Sequence, residues 1–225
     1  MTDRRWSVLA AIGVSTLVAG LDTSVVNTVL PLLSRELHAS VAAIEWVSTI
    51  YLLVISALLL GVGRAGDLRG YKRMYIVGFA LFVVASALCG AAPTANALVV
   101  MRGLQGIGAA MLFANAPAIL TKAFPAEQRG RALGALATFT YLGLTAGPAL
   151  GGWLAQAFGW RSVFYINVPL GIFGIVLGVR AIDDDRPHGA AERFDVLGRV
   201  REGVRFTGSS AAEQRSRTTP LHHPV

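Results

Sequence analysis

Charged side chains are scarce in this sequence. They make up 15% of its 225 residues, against about a quarter in a soluble domain. With 54% hydrophobic residues and a mean hydropathy of +0.57, that shortage argues against a water-soluble enzyme or binding domain. Acidic residues are scarcer still in the apolar part. Residues 1–182 hold 13 Lys/Arg and 6 Asp/Glu, whereas residues 183–225 hold 7 of each. The net charge of +7 therefore comes from the apolar part alone. A pI near 10.3 would suit a nucleic-acid partner. The basic residues, however, sit in short gaps between apolar runs and form no stripe that tracks phosphates, so no nucleic acid is expected. Cysteine is nearly absent. The single Cys89 excludes an intramolecular disulfide framework and leaves the redox compartment open.

What the chain does have is long apolar runs. A membrane span needs about 20 apolar residues, because a helix rises about 1.5 Å per residue across a hydrocarbon core of about 30 Å. Six runs qualify: Trp6–Leu30, Trp46–Gly63, Met74–Ala92, Ala97–Leu120, Ala132–Phe158 and Val163–Ile182. Strands of that length would leave unpaired backbone in lipid, so an all-α, six-helix membrane bundle is expected. With the N-terminus inside, the inner loops carry Arg4, Arg5, Arg64, Arg69, Lys72, Arg73, Lys122, Arg129, Arg131 and Arg180. The outer loops carry only Arg35 and Arg161. This bias predicts a multi-pass protein with a cytoplasmic N-terminus. The basic start "MTDRR" also fits a signal peptide, but removing the first run would break the charge pattern of the other five.

Two charges fall within spans, Asp22 in "GLDTSVVNTVLP" and Arg102 in "LVVMRGLQGIGAA". Each costs about 2.5–3.5 kcal/mol at a helix centre on insertion scales, so each should face protein or a water cavity. Asp22 lies nine residues before Pro31, about 13 Å in from the outer end of span one; Arg102 lies six residues after Asn96, about 9 Å in along span four. Their depths match, so the two are expected to pair. A structural ion pair and a titrating carboxylate tuned by its arginine both fit that arrangement.

Residues 63–74, "GRAGDLRGYKRM", join spans two and three. Gly61, Gly63 and Gly66 spell G-x-G-x-x-G, but no strand precedes them and no acidic residue lies near position 86, so a nucleotide site is not expected. A tight turn is expected at Gly70, with Asp67 accepting backbone N–H groups at the start of span three. In span five, Gly143, Gly147 and Gly151 recur every fourth residue along one helix face, flanked by Gly134, Pro148 and Gly152. Small residues at that spacing let two helices approach closely, and Pro148 should bend the rod.

These motifs together resemble the N-terminal half of a major facilitator superfamily transporter, of the fourteen-span multidrug/proton antiporter type. "LDTSVVNTVLP", with Asp22 and Asn27, resembles the first-helix motif. Gly63, Asp67, Gly70, Lys72 and Arg73 resemble the G-x-L-x-D-x-x-G-x-[RK]-[RK] motif, although Ala65 replaces the usual leucine. Arg102, Gln105 and Gly106 match the fourth-helix motif, and Gly134, Gly143, Gly147, Pro148, Gly151 and Gly152 the antiporter motif of span five. "WRSVFYINVPLG", from Trp160, resembles the start of the sixth helix. The resemblance implies two inverted three-helix repeats and alternating access, with protons entering as drugs or other lipophilic or cationic molecules leave. It implies proton coupling by Asp22 and Arg102 and a cytoplasmic gate at Asp67 and its basic neighbours. It implies no cofactor, no metal and no enzymatic chemistry.

After Ile182 the pattern stops. "FDVLG" at 194–198 resembles the lead-in to a seventh span, yet a polar stretch follows. Residues 183–225 are expected to be a disordered cytoplasmic tail, and the switch near Val200 suggests a truncation or a shifted frame. His222 and His223 form no recognisable metal motif. A complete pathway would need a second half or another subunit. An inactive or partner-dependent fragment, and an importer of the same fold, remain alternatives.

Overall fold

The computed structural model describes residues 2–184. The expected tail beyond Asp184, with its "FDVLG" segment and His222–His223, lies outside the described residues. Within them the chain forms seven α-helices and one short 3-10 turn, and no strand: α1 (Thr2–Glu36), α2 (Val41–Arg69), α3 (Tyr71–Ala91), α4 (Ala95–Ala123), α5 (Arg129–Phe158), α6 (Ser162–Tyr165) and α7 (Asn167–Ala181). Helices α1 to α5 are each long and apolar enough to cross a membrane, and α6 with α7 makes a sixth span. A helix satisfies its own backbone, which lipid cannot do.

The helices overrun the apolar runs at several ends. Helix α1 continues through Pro31 to Glu36, and α2 continues through Arg64 and Asp67 to Arg69. Residues 63–69 are therefore helix and not loop. Charged residues beyond the apolar core face water, so nothing there forces the helix to stop. Gly70 stops it. Its φ of 93° and ψ of 132° suit glycine, and this single residue ends α2 and starts α3. Its N–H bonds to the Gly66 carbonyl at 2.9 Å, and its own carbonyl accepts from Met74 N at 3.2 Å. Ser40 and Thr94 cap α2 and α4, accepting from Ala43 N and Ala97 N at 3.3 and 3.2 Å.

Helix α1 is the most buried span, and α2 and α5 are the least. Helix α1 packs chiefly on α5 and then on α7, while α4 packs chiefly on α2 and α3. Exchanging spans one, two and three with four, five and six maps the first set of contacts onto the second. Two inverted three-helix repeats have this packing. Two apolar clusters fill the interior, one around Ile12, Tyr75, Phe79, Leu112 and Leu120, the other around Val25, Leu33, Val47, Leu98 and Phe164. On α3 and α4 a polar layer occupies the gap between them: Ser86 lies between Val83 and Cys89, and Arg102 and Gln105 lie between Leu98 and Ala109.

Candidate functional site

Asp22 and Arg102 meet in that layer. Arg102 Nη1 lies 2.7 Å from Asp22 Oδ2, and the two side chains are 1% and 0% exposed in that order. Depth counted from the span ends thus anticipated the contact. Two buried charges so far from water are tolerable only when paired and fully hydrogen-bonded. Most of their remaining capacity is filled. Gln105 Nε2 and Asn167 Nδ2 both donate to Asp22 Oδ1, at 2.9 and 2.7 Å. Arg102 Nε donates to the Val47 carbonyl at 3.2 Å, and Nη1 also donates to Gln105 Oε1 at 2.7 Å. The guanidinium carbon sits 4.0 Å from the centre of the Tyr51 ring, a cation–π contact that is strongest where water is excluded.

The network therefore reaches beyond the pair foreseen from the motifs. Asn167 Nδ2 also donates to Ser86 Oγ at 3.0 Å, and Ser86 Oγ donates to the Phe164 carbonyl at 2.9 Å. Cys89 Sγ approaches Gln105 Oε1 at 3.6 Å. One buried carboxylate thus connects α1, α4 and α7 directly, and α2 and α3 through its partners. Sequence reasoning missed Tyr51, Ser86 and Asn167. The available signal was a polar side chain inside an apolar run, which in lipid requires a partner. Asn27 stands apart. It is exposed and accepts from Ser48 Oγ at 2.6 Å.

The span-five motif divides into two faces. Gly143, Gly147 and Gly151 are buried against α1. A Cβ at Gly143 would strike the Leu17 carbonyl, one at Gly147 would strike Ser24, and one at Gly151 would stand 3.0–3.3 Å from Val25. Helix α1 reciprocates at Gly20, where a Cβ would lie 2.7 Å from the Thr140 carbonyl. Ser24 Oγ also reaches the Gly143 carbonyl at 3.3 Å. Gly134 and Gly152 meet nothing within 4 Å, and Pro148 is exposed. Helix α5 runs unbroken through Pro148. The glycines every fourth residue make the seam, and the other three motif residues face away from it.

The residues expected to gate the basic end lie on the last two turns of α2, at the Gly70 turn and in the first turn of α3. Gly63 is on α2, 4.0 Å from the Ala114 Cβ by its own would-be Cβ. Asp67 accepts a hydrogen bond from the Tyr71 hydroxyl, and α3 has no side-chain cap at its start. The expected capping role of Asp67 is thus replaced by a side-chain bond across the Gly70 turn, which joins the end of α2 to the start of α3. Lys72 Nζ pairs with Asp184 at 2.9 Å, Arg4 pairs with Asp183, and Arg73 is exposed. Lys122 Nζ sits 4.1 Å over the Tyr71 ring. No group of three or more His, Cys, Asp or Glu capable of holding a metal occurs among the described residues.

Comparison with known proteins gives this arrangement its family. The chain is 33% identical over 195 residues to the riboflavin transporter RibZ of Clostridioides difficile, a match covering 87% of this chain and 43% of that protein. It is 36% identical over 200 residues to the tetracenomycin C resistance and export protein of Streptomyces glaucescens, covering 89% and 37%. It is 35% identical over 195 residues to the methylenomycin A resistance protein of Bacillus subtilis, covering 86% and 41%. The chain thus spans less than half the length of these relatives. The Major Facilitator Superfamily pattern matches residues 12–213. A match over that much of the chain, on six spans packed in this order, makes the protein a member of the Major Facilitator Superfamily.

Proposed function

We propose that this chain works as one half of a proton-coupled exporter of lipophilic or cationic small molecules, with its N-terminus in the cytoplasm. The observation that carries the reading is the buried Asp22, held by Arg102, Gln105 and Asn167. A proton on Asp22 would set an O–H among groups that already donate to it, and their rearrangement would link protonation to helix movement. Arg102 is the counterion of Asp22, Gln105 bonds to both partners, and the α1–α5 glycine seam lets the first span slide without a gap opening. Asp67, Lys72 and Arg73 at the basic end are the residues proposed to close the cytoplasmic side. The basic loops favour that end as cytoplasmic.

The relatives support export, two of them being named for resistance. The riboflavin transporter leaves the substrate class open. A carrier of this type binds substrate between two halves, so the chain is proposed to act with a second half or another subunit. The test is growth protection. Cells expressing the chain fused to the second half of a related exporter should survive toxic lipophilic cations, and Asp22→Asn should remove the protection. Protection by the chain alone would refute the need for a second half, and undiminished protection by the Asp22→Asn fusion would refute the coupling role.

A further inference from the structure

Asn167 is bonded differently from the other amide of the polar layer. Its partner amide, Gln105, is locked: Oε1 accepts from Arg102 at 2.7 Å while Nε2 donates to Asp22 at 2.9 Å. Turning Gln105 over would set its oxygen against the carboxylate and its NH2 against the guanidinium. Asn167 is different. One atom, Nδ2, makes both of its bonds, to Asp22 Oδ1 and to Ser86 Oγ. Its Oδ1 is buried and has no hydrogen-bond partner. An orphaned buried carbonyl oxygen costs free energy, so no hydrogen bond holds this end of the amide in its present orientation.

Asn167 also follows Ile166, the one residue between α6 and α7, whose φ of −62° and ψ of −28° stay helical. Helix α6 ends at Tyr165 and α7 starts at Asn167. Pro169, two residues on in the first turn of α7, has no N–H to give the Tyr165 carbonyl. In the same turn the Phe164 carbonyl accepts both the Ser86 hydroxyl and the Ile166 N–H.

We propose that Asn167 is a positioning residue that reads the protonation state of Asp22 by turning its side-chain amide over, and that Ser86 passes the change to the turn of the sixth span at Phe164. The inference rests on the reading of Asp22 as a titrating carboxylate. With Asp22 ionised, Nδ2 donates to it and to Ser86, and Ser86 donates to Phe164. A proton arriving from water forms an O–H bond at Asp22 Oδ1, which then needs an acceptor. A half-turn about the Cβ–Cγ bond puts Asn167 Oδ1 where Nδ2 was. That oxygen has two lone pairs, one for the Asp22 hydroxyl and one for the Ser86 hydroxyl. Ser86 must then leave the Phe164 carbonyl, which is left with the Ile166 N–H. The other titratable groups of the layer are Arg102 from α4, Tyr51 from α2 beneath its guanidinium, and Cys89 from α3 against Gln105. Neither Asn167 bond involves any of them.

The experiment is infrared difference spectroscopy, acid minus neutral, on the full chain purified into lipid nanodiscs. Asparagine carries a side-chain isotope label and phenylalanine a 13C backbone carbonyl. Unchanged asparagines and phenylalanines cancel in the difference. The expected result is three linked bands: a protonated carboxyl absent in Asp22→Asn, an asparagine amide absent in Asn167→Ala, and a phenylalanine carbonyl lost in both variants. Ser86→Ala leaves all three donors of Asp22 in place. It should keep the carboxyl and asparagine bands and lose the phenylalanine band, and it serves if Asn167→Ala does not fold. A carboxyl band that survives in Ser86→Ala together with an unchanged phenylalanine band overturns the relay. A carboxyl band without any asparagine band in the unaltered chain overturns the role of Asn167 alone. No carboxyl band that depends on Asp22 overturns the coupling reading, and this inference with it.

Discussion

Replacing Gly143 by alanine should destabilise the protein, while the same change at Gly134, nine residues earlier on the same helix, should not. The added Cβ at Gly143 would fall 2.8 Å from Leu21 N and 3.2 Å from the Leu17 carbonyl carbon, and closer still to the Leu17 oxygen. Ordinary contact begins near 3.4 Å, so α1 and α5 would have to part by at least about 0.6 Å. The atoms in the way are backbone, which no rotamer change can move. Overpacking of this kind costs about 1–3 kcal/mol, and the glycine-to-alanine gain in helix propensity returns at most about 1. For a chain of this length each kcal/mol moves the melting temperature by about 2–4 °C. Gly134 has nothing within 4 Å, so only the propensity gain remains there. Thermal unfolding of both variants in one detergent decides the matter. The Gly143→Ala protein should melt several degrees below Gly134→Ala. Equal melting temperatures would refute the reading of Gly143, Gly147 and Gly151 as a seam against α1.

Two more outcomes follow from the geometry. Asp22→Asn or Arg102→Gln alone leaves one charge buried without its counterion and should cost about 3–5 kcal/mol, whereas the double variant removes both charges and should cost clearly less than the sum; a double-mutant cycle in thermal unfolding checks this, and strict additivity would mean the pair is not coupled. Gly70→Ala should destabilise by about 1–3 kcal/mol, because φ of 93° with ψ of 132° is nearly reserved for glycine; asparagine should not rescue it, since the left-handed helical region that asparagine tolerates has a much smaller ψ, and recovery with asparagine would show that the turn relaxes.

Much of the architecture was legible because lipid leaves few choices. A run of about 20 apolar residues must be a helix there, and charges inside it must find each other, which is why Asp22 and Arg102 could be paired by counting residues. The helix ends were less legible. Pro31 and the charges of 64–69 look like breakers, yet a proline costs little near an aqueous helix end, and polar helix is ordinary outside the membrane. Gly70 was recognisable as the turn because glycine has few other reasons to sit between two helical stretches. The rest of the polar layer was harder to see. Asn167 and Ser86 are uncharged, and their partners lie 145 and 78 residues away in the chain. Their meeting depends on how the first, third and sixth spans pack, which no local pattern encodes. In span five the spacing picked out the buried glycines, while only the packing shows that Gly134, Pro148 and Gly152 face away.

The account rests on Asp22 carrying the proton, and proton movement tests that most directly. Everted vesicles bearing the chain fused to a second half, with an acid lumen reported by a pH-sensitive dye, should lose part of their gradient when ethidium is added. Vesicles with the same amount of Asp22→Asn protein should keep it. Discharge of the gradient by the Asp22→Asn protein at the unaltered rate would contradict the account.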